Sequence, residues 1–191
     1  MKAILMSIRP QHLVNILNGD KTIELRTRFP KDFRGWVYLY CTKAIKGKPT
    51  LIRSAFNHSY RLGTCYVDGF EINLAGKVVC RFWVDNVEEV LALNWDTRTD
   101  TLDEFNLSLK SCISIKDINN IFGDKEGKAI HISKLEIFDK PKELGEFYYY
   151  KKRLIDCGMD CPPYFDEVKT QVRKAPQSYM YVEVEDENRN Q

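Results

Sequence analysis

Two short stretches of this chain collect side chains able to do chemistry, Ser7-Ile8-Arg9-Pro10 and Gly19-Asp20-Lys21-Thr22-Ile23-Glu24-Leu25-Arg26. From Thr22 onward the second stretch alternates strictly, so Ile23 and Leu25 point one way and Thr22, Glu24 and Arg26 the other. An arginine offers a planar fork and a lysine a point charge, both suited to phosphate or base edges, and a glutamate can accept from an exocyclic amine. Arg9 and Lys43 would widen the basic rim of such a corner. The same alternation also describes a solvated strand on which Glu24 and Arg26 pair with neighbours.

Other chemistries are poorly represented. The sequence has no Gly-rich phosphate loop, no Gly-x-Ser-x-Gly, no His-Glu-x-x-His and no paired zinc knuckles, which excludes the commonest nucleotide-hydrolysing, esterase and metalloprotease readings. Cys41, Cys65, Cys80 and Cys112 are widely separated and read as free thiols. Cys157 and Cys161, in Cys-Gly-Met-Asp-Cys-Pro-Pro, supply half of a zinc site, whose remaining ligands would have to come from distant cysteines or from His12, His58 and His131. No metal and no cofactor is expected. His131, in an apolar strand, reads as a core histidine, and Trp36, Trp83 and Trp95 as packing residues. The run Tyr148-Tyr149-Tyr150-Lys151-Lys152-Arg153 is expected to form a helix covering the core with its aromatics, an aromatic-basic stacking platform being the alternative.

The elements that must position the polar corner follow from periodicity. An apolar strand at Ala3 to Ile8 feeds a short helix that begins at Pro10, shows Leu13, Ile16 and Leu17 on one face and stops at Gly19. Further strands are expected at Lys21 to Arg26, Trp36 to Thr42, Lys77 to Val84, Ala129 to Phe138 and Ser178 to Val184. Leu102, Phe105 and Leu109, then Ile115, Ile118, Ile121 and Phe122, predict two short helices. Lys43 to Gly63 reads as a basic loop, and Pro141 to Pro176 shows no clear period. Five or six strands without regular βαβ alternation favour an α+β fold, a small, mostly antiparallel β-barrel with short flanking helices. One domain is expected over residues 1–184, with 185–191 a polar tail.

Composition agrees with a soluble globular chain of 191 residues, 43% hydrophobic and 29% charged. It contains no run long enough to span a bilayer and no signal-peptide pattern, so the cytoplasm is the expected location. The net charge of +2 hides an asymmetry. Residues 1–61 hold twelve Lys and Arg against three acids, and the remainder is acidic. A concentrated positive region suits a polyanion partner.

The motif Gly-x-Lys-Thr-x-Glu-x-Arg resembles that of the ASCH domains, whose barrel is similar to the PUA domains of RNA-modifying proteins. Val37 to Lys43, Gly76 to Val79, Ala129 to Ser133 and Ala175 to Tyr179 extend the resemblance over nearly the whole chain, in particular to the larger ASCH proteins of phages and prophages. The resemblance implies a PUA-like barrel with a cleft beside the first helix that takes RNA or a nucleotide-like ligand, through Ser7, Arg9, Lys21, Thr22, Glu24, Arg26 and Lys43. It also implies an alternative, hydrolysis of RNA or of an acylated nucleoside. There Lys21 would activate a hydroxyl or water and Glu24 would move the proton, with Thr22 the nearby hydroxyl. Glu24 stands where that pattern places its nucleophilic threonine. A third reading is a protein-interaction module using the acidic C-terminal part.

Overall fold

The computed structural model describes residues 2–43, 45–46, 48–54, 60–63, 71–90, 101–123, 125–155 and 164–184. Along the chain these form β1 (Lys2–Ile8), α1 (Pro10–Leu17), β2 (Ile23–Arg26), β3 (Gly35–Cys41), β4 (Thr50–Ser54), β5 (Tyr60–Gly63), β6 (Glu71–Asn73) and β7 (Val78–Val90). There follow α2 (Thr101–Ser111), α3 (Ile115–Phe122), β8 (Gly127–Lys142), β9 (Phe147–Ile155), β10 (Tyr164–Gln171) and β11 (Tyr179–Val184). The expectations for Trp95, His58, Cys65, Cys157, Cys161 and the tail 185–191 lie outside the described residues.

β1 is apolar from Ala3 to Met6 because both of its faces are covered. Ile4, Met6 and Ile8 pack with Leu13, Ile16 and Leu17 of α1 and with Val37 and Leu39 of β3. Ala3 and Leu5 pack on the reverse face with Tyr38, Tyr40, Phe147 and Val182. β1 runs parallel to β3 and antiparallel to β11. The main sheet has the order β10-β9-β11-β1-β3-β7-β8-β2, and a second sheet the order β5-β4-β6. Ile23 and Leu25 of β2 bury under α3 against Ile118, Phe122 and Ala129.

The first turn of the chain follows its local chemistry. Arg9 holds the extended N-cap position, and Pro10 opens α1 where its missing N–H costs nothing. Gly19, at φ +81° with nothing within 4 Å of its absent Cβ, reverses the chain toward β2. A glycine is needed there for backbone freedom and not for space.

Among the described residues the architecture is mostly sheet with three α-helices, as the α+β expectation has it, but the sheets they form do not close into a barrel. β10 and β2 are the two ends of the main sheet and do not pair with each other. β9 meets β11 only at Phe147 and Tyr148 and then continues with β10 alone, so the ladder runs outward. The expected loop at Lys43 to Gly63 contains β4 and β5, and Leu51 and Ile52 of β4 are buried. The expected helix at Tyr148 to Arg153 is instead part of β9, consistent with the strand preference of consecutive tyrosines. The unperiodic segment Pro141 to Pro176 therefore holds β9 and β10. His131 is half-buried and not enclosed, with Nε2 3.0 Å from Glu88 Oε1. Trp36 and Trp83 pack edge to face, as expected of packing residues, and Arg81 stacks over Trp36. No helix among the described residues is long and apolar enough to cross a membrane.

Candidate functional site

The polar corner forms where the strand–helix–strand unit β1-α1-β2 folds back on itself. Glu24 is 5% exposed, and a carboxylate so enclosed must be answered by cations or donors. Its Oε2 lies 3.2 Å from Lys21 Nζ and its Oε1 2.9 Å from Arg26 Nε. The Arg26 contact is an ion pair whose angle falls short of a directed hydrogen bond. Arg26 Nη2 donates to the Ser7 carbonyl at 2.8 Å, tying β2 to the end of β1. Thus β2 does not present a solvated face at Glu24.

Lys21 has a second task. Its fully enclosed amine donates to the Ser111 carbonyl at 2.6 Å. Ser111 is the last residue of α2, and its carbonyl is one of those a helix terminus leaves without an intrahelical partner. The Thr22 N–H caps the adjacent Lys110 carbonyl at 2.9 Å, and the Thr22 carbonyl accepts from Ile132 N–H at 2.9 Å. Lys21 and Thr22 therefore cap the C-terminal end of α2. The Thr22 side chain is exposed.

A cleft of about 350 Å³ opens beside this corner, within the size range of small-ligand pockets. It brings together four of the expected residues, Ser7, Arg9, Glu24 and Arg26, but its lining does not include Lys21, Thr22 or Lys43. Lys43 is exposed and stands against Gly76. The lining adds His12, Thr42 and Gln177, with Ile113 and Ile121 as apolar wall. Parallel pairing of β1 with β3 explains Thr42, because the C-terminal ends of the two strands lie side by side and Thr42 N–H reaches the Ile8 carbonyl. Gln177 is brought in by two bonds to Ser7, whose hydroxyl donates to the Pro176 carbonyl at 2.6 Å and whose N–H donates to the Ser178 carbonyl. A wider depression beside the end of α3 contains Arg28 and Lys125 but none of the expected residues.

Sequence reasoning missed His12, Thr42 and Gln177 as lining residues. His12 had a usable signal, since it stands three residues after Arg9 and so shares a helix face with it. Burial lowers the His12 pKa below its ordinary value of 6.5; nearby Glu24 opposes this, and Lys21, Arg9 and Arg26 reinforce it. At neutral pH the imidazole is accordingly an uncharged hydrogen-bonding group. With Glu24 matched by Lys21 and Arg26, Arg9 leaves the surroundings of the cleft positively charged. Among the described residues no cluster of three or more His, Cys, Asp or Glu could hold a metal ion.

No family model matches the sequence, and no curated protein matches it. Among solved structures, the chain is similar to ASCH from Zymomonas mobilis, with a TM-score of 0.48 and 13% identity over 74% of this chain and 73% of that one. It is similar also to a serine-to-alanine variant of ZmASCH from the same organism, with a TM-score of 0.48 and 13% identity over 94% of this chain and 87% of that one.

Two outcomes follow from this geometry. Lys21→Met leaves Glu24 short of a cation and Ser111 without its cap, and is expected to cost about 3–5 kcal/mol in urea unfolding, with partial recovery when Glu24→Gln is added. An unchanged midpoint for Lys21→Met would contradict the buried ion pair. For His12 the folded pKa lies below the unfolded one, so in the window below pH 6.5 the unfolded chain binds the proton first. Stability from this residue is complete above that window and falls as pH drops through it. His12→Gln should flatten that part of the stability–pH curve, measured by denaturation at a series of pH values.

Proposed function

We propose that the cleft beside α1 binds RNA or a nucleotide-like ligand. The observation that carries this reading is the set of residues gathered at one opening: two arginines, Arg9 and Arg26, beside a neutral His12, Thr42 and Gln177. Cations supply attraction for phosphate, and uncharged donors and acceptors suit a base edge or a ribose hydroxyl. The small volume favours one nucleotide unit within the cleft, a longer RNA continuing over the surface.

Within this reading the roles divide. Arg26 is held by Glu24 and the Ser7 carbonyl, so its remaining donors are preorganised. Arg9 is exposed and supplies attraction at the rim. Lys21 and Thr22 act as supports, and the hydrolytic alternative, which needs Lys21, Thr22 and Glu24 at one reacting centre, gains no observation from the cleft lining.

Arg9→Glu tests the proposal cleanly because Arg9 carries no part of the buried network. Fluorescence anisotropy with single-stranded RNA is expected to show affinity reduced by about tenfold or more. The salt dependence should become shallower by about 0.7 in slope for each phosphate that the variant no longer neutralises. Lys140→Glu, at an exposed position near the end of β8, serves as the control and should bind like the parent. Equal binding by both variants would exclude the cleft rim as the binding surface.

A further inference from the structure

β9 and β10 leave the body of the sheet as a two-stranded ribbon. They pair from Tyr148↔Gln171 to Ile155↔Tyr164, whereas β11 accompanies β9 only at Phe147 and Tyr148. A two-stranded ribbon is marginal in water, and a third strand or a packed face is needed to stabilise it. Along most of this ribbon the described residues provide neither. Phe165 is 69% exposed and Leu154 54%, and Tyr150, Tyr164 and Val168 are also exposed. β10 is the end strand of the sheet, so its outer edge has no strand partner among the described residues.

We propose that the outer edge of β10 pairs with β10 of a second copy of this chain, joining two ribbons into a four-stranded sheet. Charge selects the register. In an antiparallel pair, residues directly opposite share a face. A two-fold axis perpendicular to the sheet must therefore pass through a residue position, since successive side chains alternate between faces. Centring on Asp166, Glu167 or Lys169 places a charge opposite its own copy, and centring nearer either end of the strand overlaps the two copies over three residues of β10 or fewer. Centring on Val168 places Val168 against Val168, Glu167 opposite Lys169 of the second copy, Lys169 opposite its Glu167, and Asp166 opposite its Thr170. Lys169 already lies over the Tyr148 ring at 4.4 Å, on the face it shares with Glu167. The two-fold axis makes every such ion pair occur twice.

This arrangement is independent of the nucleotide cleft and is tested without any ligand. The parent protein is expected to sediment as a dimer in analytical ultracentrifugation. Glu167→Lys and Lys169→Glu should each weaken the dimer about tenfold or more, because each sets like charges opposite one another at two symmetric positions. Neither residue is buried, so both variants should keep the parent's circular dichroism at low temperature, the melting temperature falling only as far as loss of the dimer requires. The decisive arm is a mixture of the two single variants, which restores opposite charges across the axis in a heterodimer and should associate more tightly than either variant alone. A parent that stays monomeric at its highest soluble concentration would overturn the proposal. So would a mixture no more associated than its separate components.

Discussion

Glu24 is the constraint around which this corner of the molecule is arranged. Its carboxylate is taken out of water on a strand whose neighbours, Ile23 and Leu25, are themselves buried under α3. Burying a charge is costly unless it is paired and hydrogen-bonded. Lys21 and Arg26 pair with it, and each carries the network onward to a different element. Lys21 reaches the C-terminal carbonyl of α2, and Arg26 reaches the carbonyl of Ser7 in β1. One carboxylate thus couples β2 to a helix far along the chain and to a central strand of the sheet.

The cleft inherits its character from that coupling. Because Arg26 is held from two directions, it is presented in a fixed orientation, and preorganisation of this kind reduces what a ligand must spend on ordering the site. The parallel pairing of β1 with β3 places Thr42 at the same end, and the two Ser7 bonds bring the segment before β11 across it. His12 is uncharged there because burial outweighs the attraction of Glu24. The supporting groups and the cleft-lining groups are therefore interleaved along a single short motif, with the Lys21 side chain and the Thr22 backbone engaged by the scaffold and Glu24 and Arg26 shared between scaffold and opening.

Much of this corner was legible in the sequence, for local reasons. Pro10 and Gly19 punctuate α1, Leu13, Ile16 and Leu17 mark its buried face, and alternation marks β2. The burial of Lys21 was not legible, since its partner carbonyl belongs to Ser111 and a lysine just before an alternating strand looks solvated until that contact is seen. Gln177 was hidden for the same reason, its place set by bonds between β1 and a segment far along the chain. β9 and β10 escaped recognition because the ribbon is exposed along most of its length, so no hydrophobic period of two develops. β4 and β5 were masked by the Gly, Pro and Asn residues around them, which carry turn signals stronger than the strand signal of Leu51 and Ile52. Barrel closure could not be read from strand count, because it depends on which strands form the ends of the sheet.

The central claim is that the motif divides between a scaffold side and a ligand side. Amide and side-chain NMR of the uniformly labelled protein, titrated with a nucleoside monophosphate, reads that division residue by residue. The account predicts shifts concentrated at Arg9, His12, Thr42 and Gln177, with the His12 pKa rising toward its ordinary value as phosphate draws near. Shifts centred on Thr22 and Lys43, with the cleft residues silent, would contradict it.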